Sequence, residues 1–189
     1  MLDTTFSISH IGSLLSERNP KVLWEVLSEI ASENIDFKRD LELKLAGIVS
    51  KEIVDSIMNA GLKDNCKLLG YLSHSEAIQL QQNSGVLLLV EIDSEDTKSI
   101  LPGKLFEYLA ARRPILALGP KDSDIEGVIN DTKSGKFYNY DQKDVLKTHL
   151  LQLYLDFRKG SLRISSEGIE KYSRRELTKR MSEMIKSLS

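Results

Sequence analysis

Cysteine is almost absent from this sequence, since Cys66 is the single one among 189 residues. One cysteine excludes an internal disulfide and any zinc site built from several cysteines. Long apolar runs are also missing, because the longest, Val86–Val90, is far shorter than the roughly 18 residues of a membrane span. Residues 1–5 do not have the basic and then apolar pattern of a secretory signal. These absences predict a cytoplasmic protein with an inert Cys66 thiol in a buried strand.

A strong excess of one charge is missing too, because the net charge is only −2. This value argues against nucleic acid as a partner. The charge is uneven, however, with nine Lys and Arg against four Asp and Glu between Arg158 and Lys186. Such a basic tail is usually a solvated face. Docking on a partner domain, or peripheral contact with an anionic membrane, are the alternatives that remain open.

Apolar segments alternate with amphipathic ones along the chain, which predicts strands that alternate with helices. We expect an α/β fold with a doubly wound parallel sheet of about six strands, helices on both faces and a C-terminal helical extension. A single Rossmann-like domain would span 1–189, with its core at 5–160 and the extension at 161–189. Glu42 and Lys44 indicate an exposed or edge position for the second strand. The predicted strands are Phe6–Ile11, Leu41–Gly47, Cys66–Leu69, Val86–Val90, Ile115–Leu118 and Lys136–Tyr140.

Two helix starts have clear capping patterns. Asn19 followed by Pro20 predicts a helix with Asn as N-cap and Pro at the first helical position. Ser73 with Glu76 three residues later predicts a capping box. Both helices would follow a strand, as the alternating pattern requires.

The segment Ser99–Leu118 is the most informative one. A Pro-Gly turn precedes a short amphipathic helix, on which Lys104 and Glu107 share the polar face. The first-turn amides at Gly103 and Lys104, together with the Lys104 ammonium, could hold a phosphate group, and Glu107 could accept hydrogen bonds from a ribose diol. An ordinary solvated Lys–Glu pair is the alternative. The apolar face of this helix is predicted to consist of Leu105, Phe106, Leu109 and Ala110.

Two further turns should lie at the carboxyl edge of the sheet, where open parallel sheets bind ligands. In the first, which includes Ser13, Gly12 allows close backbone approach and Arg18 could hold a phosphate bidentately. A solvated Arg18 is the alternative. In the turn after the third strand, Tyr71 and Leu72 could contact the edge of a base, or the turn could be a plain helix cap.

The long polar loop Glu91–Gly103 follows a buried strand, and loops of this length are often functional. Its last residues, Ser99, Ile100 and Leu101, are candidates for contact with a donor sugar. Its acidic residues would be solvated rather than bind a metal, so no metal site is expected. Neither a GxGxxG turn nor a Walker A loop occurs, and HExxH and GxSxG are absent as well.

Residues 10–20, 69–76 and above all 102–117 (PGKLFEYLAARRPILA) resemble the C-terminal, nucleotide-sugar-binding half of GT-B glycosyltransferases of the retaining family 4 (group 1) branch. The resemblance implies that Glu107 binds the donor ribose and Arg18 contacts the diphosphate. Gly12 would let its loop approach the diphosphate, and the amides around Gly103 and Lys104 would face the phosphates. No cofactor and no metal are implied.

Two positions depart from this family. Ser99 stands where the family often has a glutamate, eight residues before Glu107, and Ser13 stands where it often has a second basic residue. The resemblance also implies that the N-terminal acceptor domain is absent. The whole enzyme would transfer a hexose from a nucleotide diphosphate sugar to a glycan or lipid-linked acceptor, as in polysaccharide biosynthesis, and this chain alone would be inactive. A non-catalytic nucleotide-binding or interaction module and half of a sugar-nucleotide epimerase are the alternatives.

Overall fold

The computed structural model describes residues 2–164 and 166–187. It has six strands, β1 (Phe6–Ile11), β2 (Leu41–Ala46), β3 (Cys66–Gly70), β4 (Val86–Val90), β5 (Ile115–Leu118) and β6 (Gly135–Tyr138). The helices are α1 (Lys21–Glu33), α2 (Ile35–Asp40), α3 (Lys51–Asn59), α4 (His74–Asn83), α5 (Gly103–Ala111), α6 (Asp124–Thr132), α7 (Lys143–Arg158) and α8 (Arg174–Ser187). The predicted doubly wound α/β fold is confirmed.

The six strands form one parallel sheet with the order β3-β2-β1-β4-β5-β6. The chain adds strands outward from β1 on one side and outward from β4 on the other. The order therefore reverses between β1 and β4, and the loops that follow these two strands diverge and leave a crevice at the carboxyl edge.

Two apolar clusters cover the two faces of the sheet. The first lies between the sheet and α1, α2, α3 and α7, and the second lies between the sheet and α5 and α6. β4 supplies alternate residues to both clusters, with Leu88 in the first and Leu87 and Leu89 in the second, all fully buried. This double coverage explains why β4 is continuously apolar.

The first helix starts differently from the sequence prediction. Pro20 is the N-cap of α1 and Asn19 lies outside the helix. The Asn19 side chain instead accepts a hydrogen bond from Trp24 Nε1 (2.9 Å) and donates one to Ser56 Oγ (2.8 Å). The side chain joins α1 to α3, so it is not available for capping.

The short helix α2 was not predicted from the sequence. Asn34 caps it by accepting a hydrogen bond from the Phe37 amide (3.0 Å). Only Phe37 among its residues is buried, so no apolar period marks the helix in the sequence.

The second strand is an inner strand of the sheet, whereas the sequence indicated an exposed or an edge position. β2 pairs with both β1 and β3, and its charged side chains are largely buried in what we call the Glu42 cluster, formed by Asp3, Thr5, Glu42, Lys44 and Lys67. Ion pairs, and not an exposed edge, explain the charges in this strand.

The edge strand on this side of the sheet is β3, most of whose residues are exposed. Cys66 is therefore only partly buried, and the expectation of a buried strand around it was wrong. Burial still raises the pKa of the Cys66 thiol to about 11, so the expected lack of reactivity follows from its protonated state.

The buried face of α5 consists of Leu105, Tyr108 and Leu109. Phe106 is partly buried and packs against the same apolar cluster, whereas Ala110 is exposed, so the predicted place of Ala110 on this face was wrong. Tyr108 takes the inward position because its hydroxyl has buried partners: it accepts a hydrogen bond from the Ile11 amide at 2.9 Å. The helix ends at Arg112, which has a left-handed conformation (φ 54°), and α6 ends in the same way at Lys133 (φ 49°).

The C-terminal segment forms the predicted helical extension in its described part. Tyr172 packs on Phe106 with ring centroids 6.1 Å apart, and no described residue of α8 is buried. Met1 and, in the predicted extension, Ser165 and residues 188–189 lie outside the described residues. Among the helices described, none has the length and apolar character to cross a bilayer.

Candidate functional site

A crevice at the carboxyl edge brings together the turn after β1, the end of β4 and the start of α5. Gly12 in the first turn has a φ of 119°, and a Cβ there would lie 3.0 Å from Lys104 Nζ. A Cβ on Gly47, after β2, would lie 2.7 Å from Gly12 O, and the Gly47 amide donates to Gly70 O (2.7 Å). The turns after β1 and β2 thus pack against each other and the second contacts the end of β3, and glycine at positions 12 and 47 permits the close approach.

Lys104 extends over Gly12 towards the floor of the crevice. Its Nζ lies 3.4 Å from His10 Nε2. Burial lowers the pKa of Lys104, and the nearby Arg18 guanidinium lowers it further, although Glu91 and Glu107 act in the opposite direction. The ammonium is thus a poorly compensated positive charge.

His10 lies fully buried beneath this ammonium. Its Nδ1 is 2.9 Å from the carbonyl oxygen of Leu88. Because a carbonyl only accepts, Nδ1 carries the proton and Nε2 presents a lone pair to Lys104. Burial, followed by the charge of Lys104, lowers the pKa of His10 to about 3, so the ring is neutral.

Arg18 and Glu91 form the opposite wall of the crevice. Arg18 Nη2 lies 4.0 Å from Glu91 Oε2, and the buried Nε of Arg18 has no hydrogen-bond partner among the described residues. Burial raises the pKa of the Glu91 carboxyl, although Arg18 and Lys104 both favour its ionised form. The crevice therefore holds two cations, one carboxyl group and an unused N–H donor, an arrangement suited to an anion.

Glu107 lies one helical turn further along α5. Its side chain is exposed and accepts a hydrogen bond from Gln81 Nε2 of α4 at 3.0 Å. Gln81 itself is almost fully buried. Together with His74, these residues line a shallow pocket of about 170 Å³ between α4 and α5.

The remaining predicted site residues lie around the same edge. Ser13 is exposed beside Gly12, and Gly103 is the first residue of α5, with open space around it. Tyr71 is 93% exposed on the turn after β3, and Leu72 is partly buried. In the loop before α5, the exposed residues include Ser99, Ile100 and Leu101. Among these predicted residues, Lys104 extends over Gly12, where a Cβ would lie 3.0 Å from its Nζ, and both Arg18 and Glu107 act on Lys104 through their charges.

The sequence interpretation did not assign a role to His10 or Glu91. A histidine at the end of an apolar strand, just before a glycine turn, and an acid directly after a continuously apolar strand were the available signals. Within residues 2–164 and 166–187, no group of three His, Cys, Asp or Glu side chains is arranged to hold a metal ion.

No family model matches the sequence, and no curated protein matches it. Solved structures do match the fold. A lipopolysaccharide outer core galactosyltransferase, WaaB, superposes with a TM-score of 0.67 and 17% identity over 99% of this chain and 50% of its own. Anabaena Alr3699/HepE in complex with UDP gives a TM-score of 0.67 and 15% identity over 97% of this chain and 49% of its own. The pneumococcal O-GlcNAc transferase GtfA with UDP and GlcNAc gives 0.66 and 18% over 98% of this chain and 36% of its own.

A UDP-N-acetylglucosamine 2-epimerase, described as putative and from Listeria monocytogenes, also matches, with a TM-score of 0.56 and 15% identity over 84% of this chain and 39% of its own. At these identities the likeness shows the fold alone, which is the Rossmann-like fold found in GT-B glycosyltransferases. The chain spans between about a third and a half of the length of these proteins.

Proposed function

We propose that the chain is the donor-binding half of a GT-B glycosyltransferase and that its crevice binds the diphosphate of a nucleotide sugar. The observation that carries this proposal is the pair of cations, Arg18 and Lys104, at the point where the strand order reverses. Glu91 lies 4.0 Å from Arg18, and the buried Arg18 Nε has no partner in the described part of the chain. A diphosphate would supply the missing negative charge and would bind the accessible part of the Arg18 side chain.

Each predicted residue has a defined task in this proposal. Arg18 presents a planar fork that suits two phosphate oxygens, whereas Lys104 acts as a point charge. The first-turn amides of α5 add donors and the positive end of the helix dipole. Glu107, on the next turn, binds the ribose diol. In sugar transfer, these groups would stabilise the charge that develops on the leaving diphosphate without covalent chemistry by the protein.

The finer assignment rests on the sequence resemblance. It favours the retaining family 4 branch, a hexosyl donor, and a glycan or lipid-linked acceptor as in polysaccharide biosynthesis. It also favours a cytoplasmic enzyme with neither a cofactor nor a metal. An N-terminal domain would bind the acceptor and could contact a membrane surface. Since the crevice then forms only one wall of the active site, the isolated chain should bind donor but transfer no sugar.

Half of a sugar-nucleotide epimerase is the second candidate, favoured by the fold likeness to the Listeria protein. An epimerase needs acids and bases around the sugar as well as phosphate binding. The histidine in this crevice, His10, is buried and neutral beneath Lys104. The full-length protein decides between the two: epimerase activity without an acceptor would replace the transferase proposal.

Titration calorimetry of the chain with UDP, GDP and ADP tests the donor site. We expect weak but measurable binding of at least one of them. Arg18→Ala should lower that affinity by roughly ten- to a hundredfold, because it removes hydrogen bonds to a charged group. Arg39→Ala is the matched control, since Arg39 is an exposed arginine of α2 that pairs with Asp36 and Asp40. No binding of any of the three up to millimolar concentration would contradict the proposal.

Glu107→Gln tests the ribose contact separately. Affinity for the nucleoside diphosphate should fall by roughly ten- to a hundredfold. The melting temperature of the free protein should hardly change, because Glu107 is exposed. Binding of inorganic pyrophosphate should not fall, because pyrophosphate has no ribose. A lower melting temperature with unchanged nucleotide affinity would make Glu107 a structural residue.

A further inference from the structure

We propose that His10 is a positioning residue that fixes the Lys104 ammonium for contact with phosphate. The inference deepens the proposed function, on which it rests, by assigning a task to a buried histidine that touches no ligand. It depends on a chain of two contacts across the floor of the crevice, from Leu88 to His10 and from His10 to Lys104.

The first contact fixes the ring. His10 lies on β1 and Leu88 on β4, the two strands between which the strand order reverses. The hydrogen bond from Nδ1 to the Leu88 carbonyl (2.9 Å) therefore ties the two sides of the crevice together. It also selects the tautomer, since only a protonated Nδ1 can donate to a carbonyl. As a result, Nε2 is a fixed acceptor at the base of the site.

The second contact fixes the lysine. Lys104 has a flexible four-carbon stem, and Arg18 repels its ammonium from the nearby wall. The contact of Nζ with His10 Nε2 at 3.4 Å opposes this repulsion and holds the stem across Gly12. A side chain larger than hydrogen at position 12 would occupy this path, because a Cβ there would lie only 3.0 Å from Nζ.

A neutral acceptor has a particular advantage in this position. A carboxylate would hold the ammonium equally well but would also cancel its charge, and so it would compete with the phosphate. The neutral ring uses one of the three N–H donors of Lys104 and leaves the positive charge and two donors for the ligand. The side chains that face the ring include Lys104 of α5 and Arg18 of the loop after β1, both cationic, so the ring stays neutral at physiological pH.

A double-mutant cycle tests the proposal. Affinity for UDP and for inorganic pyrophosphate is measured by calorimetry for the wild type, His10→Phe, Lys104→Met and the double variant. We expect His10→Phe to weaken binding about tenfold in the wild type and less than twofold when Lys104 is already methionine. Equal weakening in both backgrounds, or none in the wild type, would overturn the positioning role. His149→Phe, at a partly buried histidine of α7, is the matched control and should leave binding unchanged.

Nitrogen-15 NMR of the wild-type side chains covers the case in which His10→Phe does not fold. His10 should be neutral with its proton on Nδ1 between pH 5.5 and 7.5, and its Nε2 resonance should move in Lys104→Met. A proton on Nε2 or an imidazolium would overturn the proposal. If pyrophosphate binds and shows the expected coupling while no nucleotide binds, the positioning role stands and the donor-site proposal fails. If neither ligand binds, both fail.

Discussion

Two groups of buried charge in this sheet are satisfied in opposite ways. In the Glu42 cluster, Lys44 Nζ lies 2.8 Å from Asp3 Oδ2 and 3.1 Å from Glu42 Oε2, and Thr5 donates to the same carboxylate at 2.9 Å. In the crevice, the ion pair between Arg18 and Glu91 is 4.0 Å long. The first group is closed by its own partners, and the second is open.

The pKa directions follow this difference. Burial opposes ionisation in both places, yet hydrogen bonds and nearby charges leave the pKa of Glu42 below its ordinary value and that of Lys44 above it. In the crevice, burial prevails, so the pKa of Glu91 is raised and that of Lys104 is lowered. The charges of the Glu42 cluster are neutralised by neighbouring side chains. The charges of the crevice are compensated less well, so they lower the stability of the free protein.

The largest expected effect is a loss of stability at Lys44 that is not matched at Lys104. Lys44→Met leaves Asp3 and Glu42 as largely buried carboxylates with one cation fewer, and should lower the free energy of unfolding by about 2–3 kcal/mol. Lys104→Met removes a poorly compensated charge, and should change that free energy by less than about 1 kcal/mol. Urea unfolding at pH 7 measures both. Equal losses would remove the distinction between the two groups.

Glu91→Gln should give a smaller effect of the opposite sign. Because the folded-state pKa of Glu91 is raised, ionising this group weakens the fold as the pH rises through its ordinary value towards the raised one. The variant should therefore be about 1 kcal/mol more stable than the wild type at pH 7.5, with no gain at pH 4. UDP affinity should rise severalfold, since a like charge is removed from the diphosphate site. Urea titrations at both pH values and calorimetry test this, and a loss of stability at pH 7.5 would contradict it.

Tyr140→Phe should have the smallest effect. The Tyr140 hydroxyl donates to the backbone carbonyl of Glu91 at 2.6 Å, so its partner is the backbone and not a charged side chain. The loss should lower the free energy of unfolding by about 0.5–1.5 kcal/mol, and UDP affinity should change less than twofold. A large loss of UDP affinity without a loss of stability would instead make Tyr140 part of the ligand-binding site in the crevice.

Most of the fold could be predicted from local patterns. β4 and β5 are short apolar runs between polar segments, and the Ser73–Glu76 box marks the start of α4 unambiguously. The errors lie where a distant partner decides the outcome. Asn19 binds Trp24 and Ser56 instead of capping α1, and Tyr108 is buried because its hydroxyl meets the Ile11 amide.

The same reason limits the prediction of the site. Gly12, Arg18, Lys104 and Glu107 could be proposed from short motifs that place glycine, cations and acids near strand and helix ends. His10 could not, because its contact with Lys104 joins positions 94 residues apart. Only the meeting of β1 with β4, and of α5 with both, gives the histidine its neighbours.

The residues with left-handed backbone conformation that end α5 and α6 are positions at which a substitution could stabilise the protein. Arg112 and Lys133 occupy a conformation that glycine adopts without strain, and their exposed ion pairs with Glu170 and Glu167 add little stability. Glycine at each position should raise the unfolding free energy by about 0.5–1 kcal/mol, after allowance for its greater freedom in the unfolded chain. Neither residue lies in the crevice. The doubly substituted chain would thus be a more stable background for binding-site variants that are too unstable to purify in the native sequence.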